Sequence, residues 1–102
     1  MNAAAKYALV EASPGVYRVE GPLTFASVPS LQSRGARLIR DATGALTFDL
    51  HSVPTVDSAG LALLIDWLAE AKALSRSLKY DQLPEILVAL ARLSDVEQLI
   101  AV

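Results

Sequence analysis

The order of apolar and polar residues along the chain switches several times between the two-residue period of a strand and the longer period of a helix. Two short runs come first, YALVEA at 7–12 and VYRVEG at 16–21, and Ser13-Pro14-Gly15 separates them. Serine, proline and glycine together favour a tight turn. The pattern therefore predicts an antiparallel hairpin at the edge of a sheet.

A helix is predicted after this hairpin, across residues 27–42. Its apolar residues can share one face, Pro29 suits the first helical turn, and Ser27 suits the N-cap. The run ALTFDL at 45–50 follows, and we read it as a run without clear polarity. Such a run is typical of a central strand that is covered on both faces.

The second half of the chain predicts two more helices, at 58–75 and from Pro84 to Leu93. A short strand, LKY at 78–80, lies between them, and VEQLIAV at 96–102 closes the chain as a strand or short helix. Alternating elements of this length predict an α/β layer whose strands are largely parallel after the hairpin. No linker or repeat interrupts the pattern, so we expect residues 1–102 to form a single domain.

Composition narrows the classes of function. Hydrophobic residues make up 53% of the chain, and 34 of its 102 residues are alanine or leucine. This is more apolar than an average soluble domain and suggests that some apolar surface is kept for another protein. The net charge of −2 leaves no basic excess for nucleic-acid phosphates. With no cysteine and one histidine, the chain has no ordinary zinc site, and we expect no metal or other cofactor.

Neither an export signal nor a membrane span is predicted. Lys6 interrupts the amino-terminal stretch MNAAAKYALVEASPG where a signal peptide needs an apolar core. The longest uninterrupted apolar run, ILVALA at 86–91, is far shorter than the ~20 residues that cross a bilayer. We therefore expect a cytoplasmic protein.

The most informative stretch is FDLHSVPTVDSAGLALLIDW at 48–67, in which Asp57-Ser58-Ala59-Gly60 opens the second predicted helix. The first N–H groups of a helix lack internal partners and lie at the positive end of its dipole. Asp57 or Ser58 can cap these groups, and Gly60 can allow tight packing of strand and helix. Alternatively, a partner protein or an added phosphate uses the same N–H groups. The residues alone leave both readings open.

The second helix is apolar around much of its circumference. One stripe at helical spacing is the predicted core face, formed by Leu61, Leu64, Ile65 and Leu68. Leu63 and Trp67 lie off this stripe. Trp67 either covers the edge of the core or anchors a partner, since aromatic residues serve both purposes.

An enzymatic function has little support in the sequence. His51 is the only histidine, and Asp49 and Asp57 are the carboxylates nearest to it along the chain. No nucleophile obviously joins them, and an aspartate at a strand end more often accepts hydrogen bonds from loop N–H groups. We therefore expect no catalytic residues.

The segment from the third strand into the second helix resembles the signature of the STAS domain family, the anti-sigma factor antagonists and sulfate-transporter tails. In that family a strand ending in Asp-Leu leads to Asp-Ser-Ser/Ala-Gly at a helix start, matched here by Asp49-Leu50 and by residues 57–60. VEGPLTF resembles the glycine-containing second strand of the family. DSAGLALLIDWLAEAK and LPEILVALARLSDVEQLI (83–100) are most similar to the MlaB-type subunit of a bacterial lipid-trafficking ABC transporter.

The resemblance implies a mixed β-sheet, an antiparallel hairpin followed by parallel strands, packed with about three to four α-helices. It also implies a non-enzymatic partner of a cytoplasmic ABC ATPase, in a complex with a permease that moves phospholipid between the two membranes of a Gram-negative envelope. The chain would then lie at the cytoplasmic face of the inner membrane through its partner, without inserting into the bilayer.

By position, the residues that this resemblance places at the ATPase contact are Asp57, Ser58, Ala59 and Gly60, and less directly Leu63 and Trp67. We expect Ser58→Glu or Gly60→Trp to weaken that contact and to leave the fold largely intact. The alternative is a soluble anti-sigma factor antagonist in which Ser58 is the phosphoacceptor.

Overall fold

The computed structural model describes residues 7–100, and its elements follow the predicted order. The strands are β1 (Ala8–Ser13), β2 (Val16–Glu20), β3 (Leu46–Asp49) and β4 (Leu78–Asp81). The helices are α1 (Val28–Asp41), α2 (Ser58–Ala73), α3 (Glu85–Leu93) and a closing 3₁₀ helix (Glu97–Ile100). The predictions for residues 1–6 and for 101–102 lie outside the described residues.

The four strands form one sheet in the order β1-β2-β3-β4. β1 pairs antiparallel with β2, and Gly15 adopts a left-handed conformation (φ +80°) in the turn between them. β3 pairs parallel with β2 and with β4. This pairing confirms the predicted hairpin at the sheet edge and the parallel strands after it.

The prediction that β3 is covered on both faces is wrong. Leu46 and Phe48 are buried, whereas Thr47 and Asp49 between them are only partly buried. The strand order advances in one direction, so crossovers of the usual right-handed kind place α1 and α2 on the same face of the sheet, where the two helices contact each other. The other face is open, and the alternation of apolar and polar residues in 46–49 reflects this.

The core is centred on α2, which contacts the sheet, α1 and α3. The ring of Trp67 meets that of Phe48 edge to face, with 5.3 Å between the centroids. The hydroxyl of Tyr80 donates to the carbonyl of Leu64 at 2.6 Å, and burial raises the pKa of Tyr80 well above its ordinary value of 10.0. The phenol therefore stays protonated and ties β4 to the middle of α2.

The helices of the structure are short. Within residues 7–100, none combines the length and apolar character that a membrane crossing requires.

Candidate functional site

The start of α2, which we call the helix mouth (residues 57–60), lies against the segment that connects β2 to α1. Leu23 and Val56 form a parallel bridge beyond the main strands. The N–H of Leu23 donates to the carbonyl of Thr55 at 3.0 Å, and the N–H of Asp57 donates to the carbonyl of Leu23 at 3.1 Å. The helix mouth is therefore held by backbone hydrogen bonds to a segment more than thirty residues earlier in the chain.

Asp57 is the N-cap of α2, as one of the two predicted alternatives required. One carboxylate oxygen accepts the N–H of Gly60 at 2.9 Å, and the other accepts the N–H of Phe25 at 3.1 Å. A single side chain thus caps α2 and also holds the backbone of the β2–α1 segment. Such a cap stabilises a helix by about 1 kcal/mol.

The same hydrogen bonds lower the pKa of Asp57 from its ordinary value. The N–H of Gly60 contributes most, partial burial of the carboxylate opposes it, and the N–H groups of Phe25 and Ala59 add to it. Each of these donors favours the charged carboxylate over the neutral acid. Asp57 is therefore ionised at neutral pH.

We expect Asp57→Asn to remove a stabilisation that depends on pH. A carboxylate whose pKa is lower in the folded protein stabilises it above the pKa of the unfolded chain, about 3.9, and this contribution is lost as the pH falls through the folded value. The free energies of unfolding of wild type and Asp57→Asn should therefore differ most near pH 7 and converge below about pH 4. Urea denaturation at several pH values measures this difference, and a difference that grows on acidification would contradict the prediction.

Ser58 offers the accessible side chain of the helix mouth. The side chain of Ser58 is exposed and Ala59 is partly buried. The N–H of Leu61 donates to the carbonyl of Asp57 at 2.9 Å, so the amides of Ser58 and Ala59 precede the first helical hydrogen bond. The N–H groups of Ala59 and Gly60 interact with the Asp57 carboxylate, and the N–H of Asp57 donates to the carbonyl of Leu23.

Gly60 is buried and allows the β2–α1 segment to pass directly over α2. A Cβ atom at this position would lie 2.0 Å from the carbonyl oxygen of Leu23. Backbone atoms cannot move aside as a flexible side chain can, so the site accepts only glycine. The expectation that Gly60→Trp leaves the fold intact is therefore wrong, and Gly60 shapes the helix mouth without being available as a contact surface.

Leu63 and Trp67 are both buried, which corrects their prediction as surface residues for a partner. Only 2% of Leu63 and 1% of Trp67 is exposed. The Trp67 ring fills the space above Gly35 of α1, and its Nε1–H points to the carbonyl of Gln32 at 3.4 Å. Because α2 has neighbours on three sides, its buried arc is wider than the predicted stripe and includes both residues.

The polar residues considered for catalysis have local structural partners. Asp49 accepts the N–H of His51 at 2.9 Å, as expected for an aspartate at a strand end, and the His51 side chain is exposed. Within the described residues, no cluster of three or more His, Cys, Asp or Glu side chains is placed to hold a metal ion. An open cleft of about 410 Å³, lined in part by Gly15 and Asp41, lies near the opposite end of the sheet, where β2 and β3 begin.

Two residues of the β2–α1 segment do not have the roles that their sequence position indicates. Ser27 is buried at the N-cap position of α1 but does not cap it; its hydroxyl donates to the carbonyl of Pro22 at 2.7 Å and accepts from the N–H of Thr24 at 3.0 Å.

Phe25 was not predicted as a site residue, yet 76% of it is exposed beside the helix mouth. No signal in the local pattern could have revealed this, because the contact with Asp57 joins distant segments.

Comparisons with known proteins agree with this architecture. The family model described as "Mlab, STAS domain" matches residues 10–101. No curated protein sequence is significantly similar to the chain.

Several solved structures share the fold. The anti-sigma factor antagonist SpoIIAA in its unphosphorylated form is 13% identical, with a TM-score of 0.65 over 84% of this chain and 81% of that one. The Bacillus cell fate determinant SpoIIAA in the phosphorylated form is 14% identical, with a TM-score of 0.67 over 90% of this chain and 86% of that one. The murine anion transporter Slc26a9 in the inward-facing state is 15% identical, with a TM-score of 0.55 over 86% of this chain and 14% of that one. These likenesses confirm the predicted mixed sheet with its surrounding helices.

Proposed function

This chain belongs to the MlaB-type STAS domain family, and on that premise we propose that it binds and supports the ATPase subunit of a phospholipid-trafficking ABC transporter. The family match over residues 10–101 is the observation that carries the proposal. In this role the chain works at the cytoplasmic face of the inner membrane, in a complex with the ATPase and its permease, and its contribution is to the assembly and activity of the ATPase. It requires no contact with lipid.

The geometry of the helix mouth supports a binding role in preference to a catalytic one. The carboxylates of Asp57 and Asp49 both accept backbone N–H groups of the protein itself. Neither carboxylate is hydrogen-bonded to the exposed hydroxyl of Ser58, so neither is in place to act as its general base. We therefore assign the helix mouth to protein recognition and propose that the chain is not an enzyme.

A second candidate function is that of an anti-sigma factor antagonist, regulated by phosphorylation of Ser58. The exposure of Ser58 at a helix start favours it, because a kinase can reach the hydroxyl and the helix dipole tolerates an added phosphate. The structural likeness to both forms of SpoIIAA is consistent with this function. The likeness to part of an anion transporter is equally consistent with a transporter-associated role, so the fold alone does not choose between them.

Co-expression separates the two functions. The tagged chain is produced with the ABC ATPase subunit of the phospholipid transporter from the same genome and, in parallel, with a serine-kinase-like anti-sigma factor from that genome. We expect a stable complex with the ATPase, a change in its ATP hydrolysis rate, and no phosphorylation of Ser58 by mass spectrometry. A complex with the kinase alone, together with a phosphate on Ser58, would establish the second function instead.

We expect Ser58→Glu to weaken ATPase binding by at least tenfold while the fold stays intact. The added carboxylate lies at the positive end of the α2 dipole, which favours it by about 0.3–1 kcal/mol, so stability should not fall. A partner that binds at the helix mouth, however, must remove water from the new charge, which costs binding free energy. Ser58→Ala is the matched control, since it removes the hydroxyl without adding charge or bulk. Calorimetric affinities with circular dichroism measure both effects, and parental affinity in Ser58→Glu would exclude the helix mouth from the interface.

A further inference from the structure

Phe25 is an aromatic residue displayed on a loop whose backbone is fixed. Phe25 is 76% exposed. Its backbone N–H donates to the Asp57 carboxylate at 3.1 Å. Leu23 and Val56 are bridged in parallel, so Phe25 and Ser58 each lie two residues further along their segments. Exposing a large apolar ring to water is unfavourable, and holding it in one place also costs conformational entropy. Phenylalanine is among the residue types enriched at protein–protein interfaces.

The two segments that meet at the helix mouth carry almost no charge. Residues 21–33 contain no charged side chain, and residues 52–65 contain only Asp57. Both oxygens of that carboxylate accept N–H groups of the protein itself. A partner that covers this area therefore removes few charged groups from water, which favours contact with another protein surface over contact with phosphate or a lipid headgroup.

We propose that Phe25 is the apolar anchor by which the chain binds its ATPase partner, and that Asp57 is the positioning residue that holds it beside Ser58. The inference rests on the proposed function and names the side chain that carries the affinity. The partner must supply an apolar pocket that takes a phenyl ring, next to a neutral surface for Ser58 and Ala59. Asp57 then affects partner binding through the β2–α1 segment that it holds in place, and does not itself contact the partner.

A second copy of this chain is a poor occupant of the same surface. Burying a Phe ring removes about 150 Å² from water, so stacking two copies through Phe25 buries roughly 300 Å² at this contact. A stable interface requires about 1,200 Å² or more. The ring therefore fits a pocket on a larger partner surface, where neighbouring contacts add the remaining area.

The experiment compares Phe25 with an equally exposed apolar residue elsewhere. Leu93, at the end of α3, is 85% exposed and is the control. Wild type, Phe25→Ala and Leu93→Ala are titrated with the purified ABC ATPase subunit of the same transporter, and their unfolding is measured in urea. Because both side chains are in water, neither substitution should lower stability. We expect Phe25→Ala to bind at least about 30-fold more weakly, as for an interface hot spot, and Leu93→Ala to bind like wild type.

The positioning role of Asp57 has its own readout. Asp57→Asn retains an oxygen for the N–H of Gly60 but loses the second carboxylate oxygen that faces Phe25. Alone it should weaken ATPase binding several-fold; in the Phe25→Ala background it should weaken binding no further. Additive effects in this double-mutant cycle would show that Asp57 acts independently of Phe25 and would overturn its positioning role.

The outcomes distinguish this inference from the function on which it rests. Failure of wild type to bind the ATPase would contradict the proposed function. Normal wild-type binding, with Phe25→Ala unaffected and Leu93→Ala weakened, would leave the function intact and move the interface to α3. Only weak binding by Phe25→Ala, with stability unchanged, supports Phe25 as the anchor.

Discussion

Gly60→Ala should be among the most damaging single substitutions in the chain. The added Cβ atom would lie 2.0 Å from the carbonyl oxygen and 2.7 Å from the carbonyl carbon of Leu23. That carbonyl accepts the N–H of Asp57, so relieving the clash by moving the segment also breaks the hydrogen bond. Overpacking alone costs about 1–3 kcal/mol, and loss of the backbone pairing adds to it. We expect the free energy of unfolding to fall by about 3 kcal/mol or more, measured by urea denaturation.

Gly44→Ala is the matched control for the Gly60 prediction. A Cβ at Gly44 meets no atom within 4 Å, and its φ does not lie in the left-handed region. Alanine there should leave stability unchanged or raise it by up to about 1 kcal/mol, because the unfolded chain loses conformational freedom. If Gly60→Ala were as stable as Gly44→Ala, the close passage of Leu23 over α2 would be wrong.

These two glycines show what the sequence could and could not predict. The elements and their order follow from local apolar patterns and turn residues, and the position of Asp49 at a strand end was enough to predict its hydrogen bond to a loop amide. Gly60 at the start of a helix is consistent with tight packing of strand and helix, which the sequence offers as one interpretation. Which segment packs against it depends on Leu23, whose distance along the chain hides the contact from any local pattern.

The faces of α2 were less predictable for a related physical reason. Periodicity indicates one buried stripe when a helix has one neighbour, but α2 lies between α1 and α3 above the sheet. An apolar residue off the main stripe then has two interpretations, a second buried contact or an exposed anchor. Trp67 has the first role, and Phe25, in a loop without periodicity, shows the exposure that the second requires.

The N-cap of α2 has a second structural role besides capping. Asp57 is an N-cap, as the simpler interpretation required, and the same carboxylate fixes the loop that presents Phe25. Capping by Asp57 is therefore compatible with the proposed role of this site in recognition. A requirement for aspartate, in preference to serine or threonine at the cap, follows because two oxygens are needed to accept two N–H groups from different segments.

Trp67→Ala is the second substitution for which we expect a large effect. The ring is 99% removed from solvent, meets Phe48 edge to face, and fills the space that Gly35 leaves in α1. Truncating a buried aromatic residue costs about 3–5 kcal/mol, because packing is lost and the cavity collapses only partly. Since a domain of this size is stable by only about 5–15 kcal/mol, the midpoint of unfolding in urea should shift strongly.

A reciprocal substitution tests whether this loss comes from the contact with α1. A Cβ at Gly35 would lie 2.2 Å from the Trp67 ring, so Gly35→Ala should destabilise the domain although alanine favours helix formation. Trp67→Phe shortens the ring and should relieve that clash, which makes the double variant more stable than the sum of the single changes predicts. Additive losses would show that the two residues do not touch. A Trp67→Ala variant with parental stability but weakened ATPase binding would instead return Trp67 to the partner surface.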